Sequence, residues 1–381
     1  MTVADFPPEP AAEGGLGAAW RRFRNRLVAS RKFQRMAQSL PIARTVARKD
    51  GERLFDLIAG FTYTQTLYAL TRHGVMDALA DAERGAEDLA SAAGLSVERT
   101  RMLCDAGVAL QLIERAGDRY ALSRLGAAYL GAPGLTDLVL HHRELYQDLA
   151  DPAGVLAGAT DTRLAAYWPY VFGADAAQGA EDLSRYSNLM ARSQAMVAED
   201  TLAMTNLRNV NHMMDVGGGS GAFLEAAGLA WPHLRLSLYD LPGVADQGDA
   251  RFAQAGLGDR AECVTGNFRE ALPETGADAI SLVRVLYDHS DDTVRSLLRR
   301  AYDALPVGGR ILISEPMGGG DAPHRFGDVY FAFYCMAMGT GQLRSAAWIS
   351  ALLSEAGFAE IYHPTPRRPF VTGVVTARKV K

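Results

Sequence analysis

An α/β fold, in which a mostly helical N-terminal half precedes a doubly wound parallel sheet, is what this 381-residue sequence predicts. Three observations carry that expectation. Before about residue 205 apolar residues recur at helical spacing; after it, short β-rich runs alternate with helical ones; and Asp215-Val-Gly-Gly-Gly-Ser-Gly221 sets a tight glycine turn between one such strand and one such helix. With 48% hydrophobic and 22% charged residues, the chain has the composition of an ordinary globular protein and the length for two domains with their own cores. No apolar run approaches the roughly 18 to 20 residues of a membrane span, and the first residues, Met1-Thr-Val-Ala-Asp-Phe-Pro-Pro, do not read basic then apolar, so a cytoplasmic location is expected. Cys104, Cys263 and Cys335 are odd in number and far apart, which predicts neither a disulfide framework nor a metal knuckle. His141-His142 have no carboxylate or cysteine partner at ligand spacing, and no metal is expected. A net charge of -5 gives no global attraction to nucleic acid.

Residues 1–50 form a basic arm. Arg21, Arg22, Arg24, Arg26, Arg31, Lys32, Arg35, Arg44, Arg48 and Lys49 crowd a segment whose nearby acid is Asp50. Trp20/Phe23/Leu27 and Phe33/Met36/Leu40 are two apolar triplets at helical spacing that point to roughly opposite faces, which argues against one continuous membrane-lying helix and leaves two short ones open. Such an arm suits anionic headgroups, and it equally suits a solvated extension or one packed on a partner.

Residues 51–204 read as helical. Leu54-Phe55-Leu57-Ile58-Phe61 and Leu67-Leu70 keep the 3.6 period until Gly74 breaks it. Within this region, Glu87 to Arg99 reads as helix, turn at Gly94, Ser96 cap and helix, and Leu112 to Leu122 as a two-stranded wing around Gly117-Asp118. This is a winged helix-turn-helix. Taken alone it suggests a ligand-responsive DNA-binding regulator. The presumed recognition helix offsets Arg99 and Arg101 with Glu98 and Asp105 and then turns apolar, a poor surface for phosphates, so packing against a second subunit is the expectation.

Residues 205–381 alternate strand and helix: a strand into Asp215, then Arg235 to Asp240, Ala261 to Thr265, Ala279 to Val285 and Arg310 to Glu315, with helices such as Asp292 to Leu305 between them. Two further β-like segments, Glu360 to His363 and Phe370 to Ala377, follow. In a sheet of this kind a ligand lies beyond the carboxyl ends of the strands, where Asp215, Asp240, Asn267, Tyr287 and Glu315 all fall.

Glycines at 217, 219 and 221 remove the Cβ atoms that would block a nucleotide-like ligand and permit positive φ. Gly217-x-Gly219-x-x-Ala222 also satisfies the loose dinucleotide fingerprint, and Asp240, one βαβ step on, is placed for ribose hydroxyls in either case. The carboxylate of Asp215, at the end of the first strand, separates the two. It repels a pyrophosphate and attracts the ammonium of an amino-acid tail, which points to S-adenosylmethionine (SAM) ahead of NAD.

These residues, with Tyr239-Asp-Leu-Pro, Gly266-Asn-Phe, Arg284-Val-Leu-Tyr-Asp-His, Pro306 to Glu315 and Ala356-Gly-Phe, make the chain from about residue 50 resemble the class I SAM-dependent O-methyltransferases, a Rossmann-like domain joined to a winged-helix dimerisation domain. Tyr186 to Gln194, the basic arm and the Leu-Tyr-Asp-His variant look most like the bacterial branch that methylates 1-hydroxy-carotenoids; a bacteriochlorophyll C-methyltransferase branch shares the architecture. The resemblance implies a homodimer in which Asp215, Gly217 and Gly219 line the methionine part of SAM and Asp240 and Leu241 the ribose. It further implies Asn267 and Phe268 beside the adenine, Arg284 in the same cofactor site, and Met190, Tyr334 and Met338 at the acceptor. Asn267 stands where the family usually has Asp; an acceptor atom survives the change, and the alternative is a simple turn former.

The family's catalytic Leu-His-Asp-Trp reads Leu286-Tyr287-Asp288-His289 here. Tyr287, with a reference pKa of about 10, is a poor proton acceptor; His289, near 6.5, is favoured for that role, with Tyr287 aligning the acceptor hydroxyl. Glu315 matches a carboxylate that orients the base, and Leu343 replaces a second one. Losing both points to an aliphatic alcohol rather than a phenol, since placement can supply about 7 to 11 kcal/mol in the best cases without prior deprotonation. Tyr330, Phe331, Phe333, Tyr334, Met336 and Met338 form the expected apolar acceptor wall. The expectation is therefore a homodimeric O-methyltransferase acting on a carotenoid hydroxyl near a membrane, with a phenol methyltransferase as the alternative.

Overall fold

The computed structural model describes residues 15–167, 194–339 and 341–381. The basic arm forms two short helices, Gly15–Ala29 and Arg31–Ser39, which meet at Ser30. The third helix, Pro41–Arg72, runs without a break through residue 50, where composition alone drew a boundary. Its two interior glycines, Gly51 and Gly60, each weaken a helix by about 1 kcal/mol and do not end it. The helix stops as expected before Gly74, whose φ of +64° suits glycine. Across its middle turns Leu54, Phe55, Leu57, Ile58 and Phe61 are between 61% and 72% exposed in the single chain, an apolar stripe with no covering element among the described residues.

The winged module follows. Helices Ala86–Ala93 and Val97–Ala109 turn at Gly94, and the Ser96 hydroxyl accepts from the Arg99 N–H as N-cap. Strands β1 (Ile113–Ala116) and β2 (Arg119–Leu122) pair antiparallel around Gly117. Leu70, Met76, Leu89, Cys104, Ile113 and Tyr120 bury its core. Arg101 pairs with Glu87 and Arg115 with Asp105, so part of the cationic surface that a DNA reader needs is shared with acidic side chains. Helix Leu135–Asp148 then carries the chain toward the second domain.

That domain holds a seven-stranded sheet. Its strands are β3 (His212–Val216), β4 (Arg235–Asp240), β5 (Ala261–Thr265), β6 (Ala279–Val283) and β7 (Arg310–Glu315); after the two-residue strands β8 (Met317–Gly318) and β9 (Arg344–Ser345) come β10 (Ala359–Tyr362) and β11 (Gly373–Arg378). The order is β10-β11-β7-β6-β3-β4-β5, and every neighbour pair from β5 to β7 is parallel. Strand β11 is reversed, because a hairpin connection from β10 inserts it antiparallel beside β7. The expected parallel, doubly wound sheet is present from β5 to β7, and the two further β-like segments add a mixed edge.

Alternation along the central strands fills both faces. Met214, Val216, Ile280, Leu282, Ile311 and Ile313 pack on helices Asp291–Ala304 and Ala346–Ala356. Met213, Ala279, Val283 and Leu312 pack with Phe223, Leu224 and Phe252 on the other side. Full burial of such side chains stabilises by about 1.5 to 3 kcal/mol each, which fixes the strand register and with it the strand ends. The chain order reverses between β3 and β6, so the crevice of the sheet opens where Asp215 and Ser281 lie side by side.

Candidate active site

The turn after β3 is built as the sequence requires. Gly217, Gly219 and Gly221 have φ of +71°, +60° and +80°. A Cβ on Gly217 would stand 2.9 Å from Val285, on Gly218 2.4 Å from Asp215 Oδ2, and on Gly221 2.8 Å from Phe252; a Cβ on Gly219 would meet nothing within 4 Å. Three sides of the turn are closed by protein, and Gly219 faces open space.

Asp215 is fully buried beneath the turn. Its Oδ1 accepts from the Ser281 hydroxyl at 2.6 Å, while Oδ2 has no hydrogen-bond partner. Burial pushes its pKa up to about 7 against the Ser281 bond, and the charge of Asp240 adds to the rise. Asp240, at the end of β4, bridges strand and turn: Oδ2 accepts from Gly219 N–H at 2.7 Å and Oδ1 from Leu241 N–H at 2.7 Å. Desolvation raises its pKa and the two backbone donors oppose that.

Beyond β5, Asn267 Oδ1 accepts from Arg269 N–H at 3.0 Å and its Nδ2 donates to Glu270 Oε1 at 3.0 Å, the pattern of a side chain shaping its own turn. Phe268 reaches the glycine turn, 3.8 Å from where a Gly217 Cβ would be, and meets the His289 ring edge to face at 5.2 Å.

Arg284 ends β6 two residues earlier than expected, with a φ of +60° that few non-glycine residues adopt. The chain then makes a single 3-10 turn, Leu286–Asp288. Buried Glu315 holds this turn by its backbone: Oε1 accepts from Val285 and Leu286 N–H at 2.9 and 2.8 Å, and Oε2 from Tyr287 N–H at 3.4 Å. Burial pushes the Glu315 pKa up to about 7, opposed by those N–H groups and Arg344. Glu315 thus orients the peptide of residue 287 rather than an imidazole.

Arg344, whose role sequence reading missed, closes the turn from the far side. It donates to the Leu286 and His289 carbonyls, each at 2.7 Å, pairs with Asp291 at 2.7 Å and stacks on Trp348. The pairing of β8 with β9 brings it there, and an Arg two residues past Gly-Gln was the available signal.

Tyr287 and His289 diverge. Tyr287 packs with Leu145, Leu164, Tyr334, Ala337 and Met338 in one buried cluster. The His289 ring lies instead on the Phe268 side, with Arg269 Nη2 3.3 Å from Nδ1. A guanidinium has only donors, so Nδ1 is an acceptor in this geometry and its lone pair is taken. Burial, with Arg269 and Arg344 adding to it, holds the His289 pKa down at about 4. The ring expected from sequence to accept the acceptor's proton therefore stands apart from the buried cluster around Tyr287, in contact with Phe268 and Arg269.

The aromatic and methionine stretch expected to face the acceptor is a π-helix, Arg325–Phe331, running into helix Ala332–Ala337. The bulge turns Tyr330 and Tyr334 to one side, where both meet the helical domain, and buries Met338 beside Tyr334. Met190 lies outside the described residues.

Comparison with known proteins agrees with this construction. An O-methyltransferase domain family matches residues 146–359 and an O-methyltransferase dimerisation domain family residues 55–132. The chain is 48% identical to demethylspheroidene O-methyltransferase of Cereibacter sphaeroides over 97% of each protein. To the enzyme of that name from Rhodobacter capsulatus it is 43% identical over 94% of this chain and 89% of the other. Among solved structures, human N-acetylserotonin methyltransferase in complex with SAM superposes with a TM-score of 0.73 at 24% identity, covering 87% of this chain and 98% of that one, which shows a shared fold.

Proposed function

The chain belongs to the O-methyltransferase family, and on that premise we propose that it transfers the methyl group of SAM to a hydroxyl of an apolar acceptor, a 1-hydroxy-carotenoid. The observation that carries this reading is a glycine cradle flanked by the carboxyls of Asp215 and Asp240, packed against Val285 at the start of the turn that sets Tyr287 in a buried cluster with Tyr334 and Met338. The names of the two close relatives point to the same substrate class.

The cradle suits a sulfonium donor with an amino-acid tail. Gly219 leaves room for it, Gly217 and Leu241 flank it, and the unpartnered Oδ2 of Asp215 gives a carboxyl that a nearby cation draws toward its charged form. Asp215 and Asp240 already raise the local negative potential, so the pyrophosphate of a dinucleotide is disfavoured. Asp240 keeps lone pairs for ribose hydroxyls and Phe268 and Asn267 flank the adenine; Arg284 follows the family pattern of the cofactor site, and its charge acts on Asp288, Tyr330 and Tyr334. When bound, SAM supplies an electrophilic methyl carbon. Tyr334 and Met338, with Met190 on the family resemblance alone, hold the hydrocarbon, Tyr287 aligns its hydroxyl, and Glu315 keeps Tyr287 in place; orientation among these side chains is the main catalytic contribution.

The dimerisation domain supports a homodimer, for which the exposed stripe Leu54 to Phe61 is the apolar face. No helix among the described residues is long and apolar enough to cross a membrane. The arm helices expose Trp20 and Phe23 among their arginines, and we assign them to the anionic surface of the membrane that holds the carotenoid. Incubation with methyl-labelled SAM and either a 1-hydroxy-carotenoid in detergent or a water-soluble phenol tests the reading. Label is expected in the carotenoid; label in the phenol alone would contradict it.

A further inference from the structure

Helix Leu135–Asp148 of the helical domain presents two consecutive histidines to the acceptor wall. His141 Nε2 lies 3.0 Å from the Tyr334 hydroxyl, a buried contact between residues 193 apart in sequence, and His142 Nε2 lies 2.7 Å from the Tyr330 hydroxyl. Tyr330 and Tyr334 stand one helical turn apart with ring centroids at 6.1 Å, so the two pairs run side by side. Tyr334 is 6% and His141 8% exposed, and Tyr334 shares its buried cluster with Tyr287 and Met338.

The chemistry of these pairs is specific. Burial alone accounts for a His141 pKa near 4, and burial with the neighbouring His141 for a similar value at His142, so both imidazoles are neutral. Burial raises both phenols above their usual range, so both keep their protons. A protonated phenol beside a neutral imidazole whose ring proton sits on Nδ1 donates its hydroxyl to Nε2. Position 287, where the resemblance places the base, carries a phenol, and the Nδ1 lone pair of His289 is occupied by Arg269.

We propose that His141, acting through the Tyr334 hydroxyl, receives the proton that the acceptor alcohol loses, so that a positioning residue of the helical domain completes the methyltransferase site. This rests on the methyl-transfer reading above. As the new C–O bond forms and the C–S bond of the sulfonium breaks, the alcohol proton passes to the Tyr334 oxygen and the phenol's own proton passes to His141 Nε2. The products are a methyl ether, a neutral thioether and an imidazolium, and the single positive charge is conserved. The basicity required is small, because an alkylated oxonium is far more acidic than an imidazolium. Burial then favours early release of the proton to water once the product leaves.

The test uses the full-length protein with His141→Gln, Tyr334→Phe and the double variant. Glutamine at 141 still accepts a hydrogen bond from Tyr334 and takes no proton, which separates support from proton transfer. Each single variant is expected to lower kcat about tenfold to hundredfold. The acceptor KM and the calorimetric affinity for S-adenosylhomocysteine should stay within about twofold, and the double variant should be no worse than the weaker single one. Should His141→Gln fail to fold, Tyr334→Phe alone decides. Independently of turnover, 15N NMR of the histidines should show His141 Nε2 unprotonated and shifted by Tyr334→Phe. Unchanged kcat, a loss confined to KM, or a protonated Nε2 would overturn the relay while leaving methyl transfer standing. Absence of turnover by the unsubstituted protein would overturn the methyl-transfer reading, and this one with it.

Discussion

Gly219 separates the two jobs of the turn, because it is left-handed yet faces nothing of the protein. Alanine there carries the penalty of positive φ, about 1 to 2 kcal/mol, and places a methyl group in the space assigned to the donor. Gly219→Ala is therefore expected to stay folded and to bind SAM at least tenfold more weakly by calorimetry; undiminished affinity would move the donor elsewhere. His289 makes a prediction about pH. Its pKa is depressed from 6.5 to about 4 in the folded chain, so the unfolded chain binds the extra proton between those values and stability is lost as pH falls from 6.5 toward 4. His289→Gln removes this liability, on the order of 1 to 3 kcal/mol. Its urea stability relative to the unsubstituted protein should improve between pH 7 and pH 4.5, and a difference independent of pH would contradict the buried neutral ring. Residue types were legible at this scale and directions were not: Asp215, Asp240 and the glycines stand where their spacing put them, whereas the divergence of Tyr287 from His289 depends on a 3-10 turn and on Arg269, neither of which spacing reveals.

Among the elements, the loop from 284 to 291 depends on contacts from distant parts of the chain. It is held by a positive-φ arginine, by Glu315 from β7 and by Arg344 from β9. Arg344→Met leaves the Leu286 and His289 carbonyls and Asp291 without their donor. A loss of about 2 to 4 kcal/mol in urea unfolding is expected, together with a lower kcat, since Tyr287 sits on the released turn. A variant of unchanged stability and turnover would show that Glu315 alone suffices. Strands were easy to find because each ends in a polar residue or a glycine that stops the apolar alternation. Their exact ends were harder: β6 stops at Val283 only because Arg284 turns left-handed, and helix Pro41–Arg72 continues through residue 50 because a shift in charge does not break backbone hydrogen bonds.

For the molecule as a whole, two surfaces and one contact join the parts into an enzyme. The Leu54 to Phe61 stripe is too apolar and too exposed for a lone chain. Ile58→Asp should convert a homodimer into monomers by light scattering, and an unchanged mass would place the interface elsewhere. The arm should sediment with anionic vesicles and be released by salt, with Arg21, Arg22, Arg24 and Arg26 changed together to Gln abolishing it. The contact of His141 and His142 with Tyr334 and Tyr330 spans 193 and 188 residues, which is why these histidines showed no partner at ligand spacing in the sequence. The central claim, that a methyl carbon is delivered to the oxygen of an oily alcohol, is tested most directly by carbon-13 NMR of the pigment recovered after incubation with methyl-13C SAM. A single methoxyl resonance on the hydroxylated end is the predicted result; a carbon-bound methyl, or an unlabelled pigment, would contradict the account.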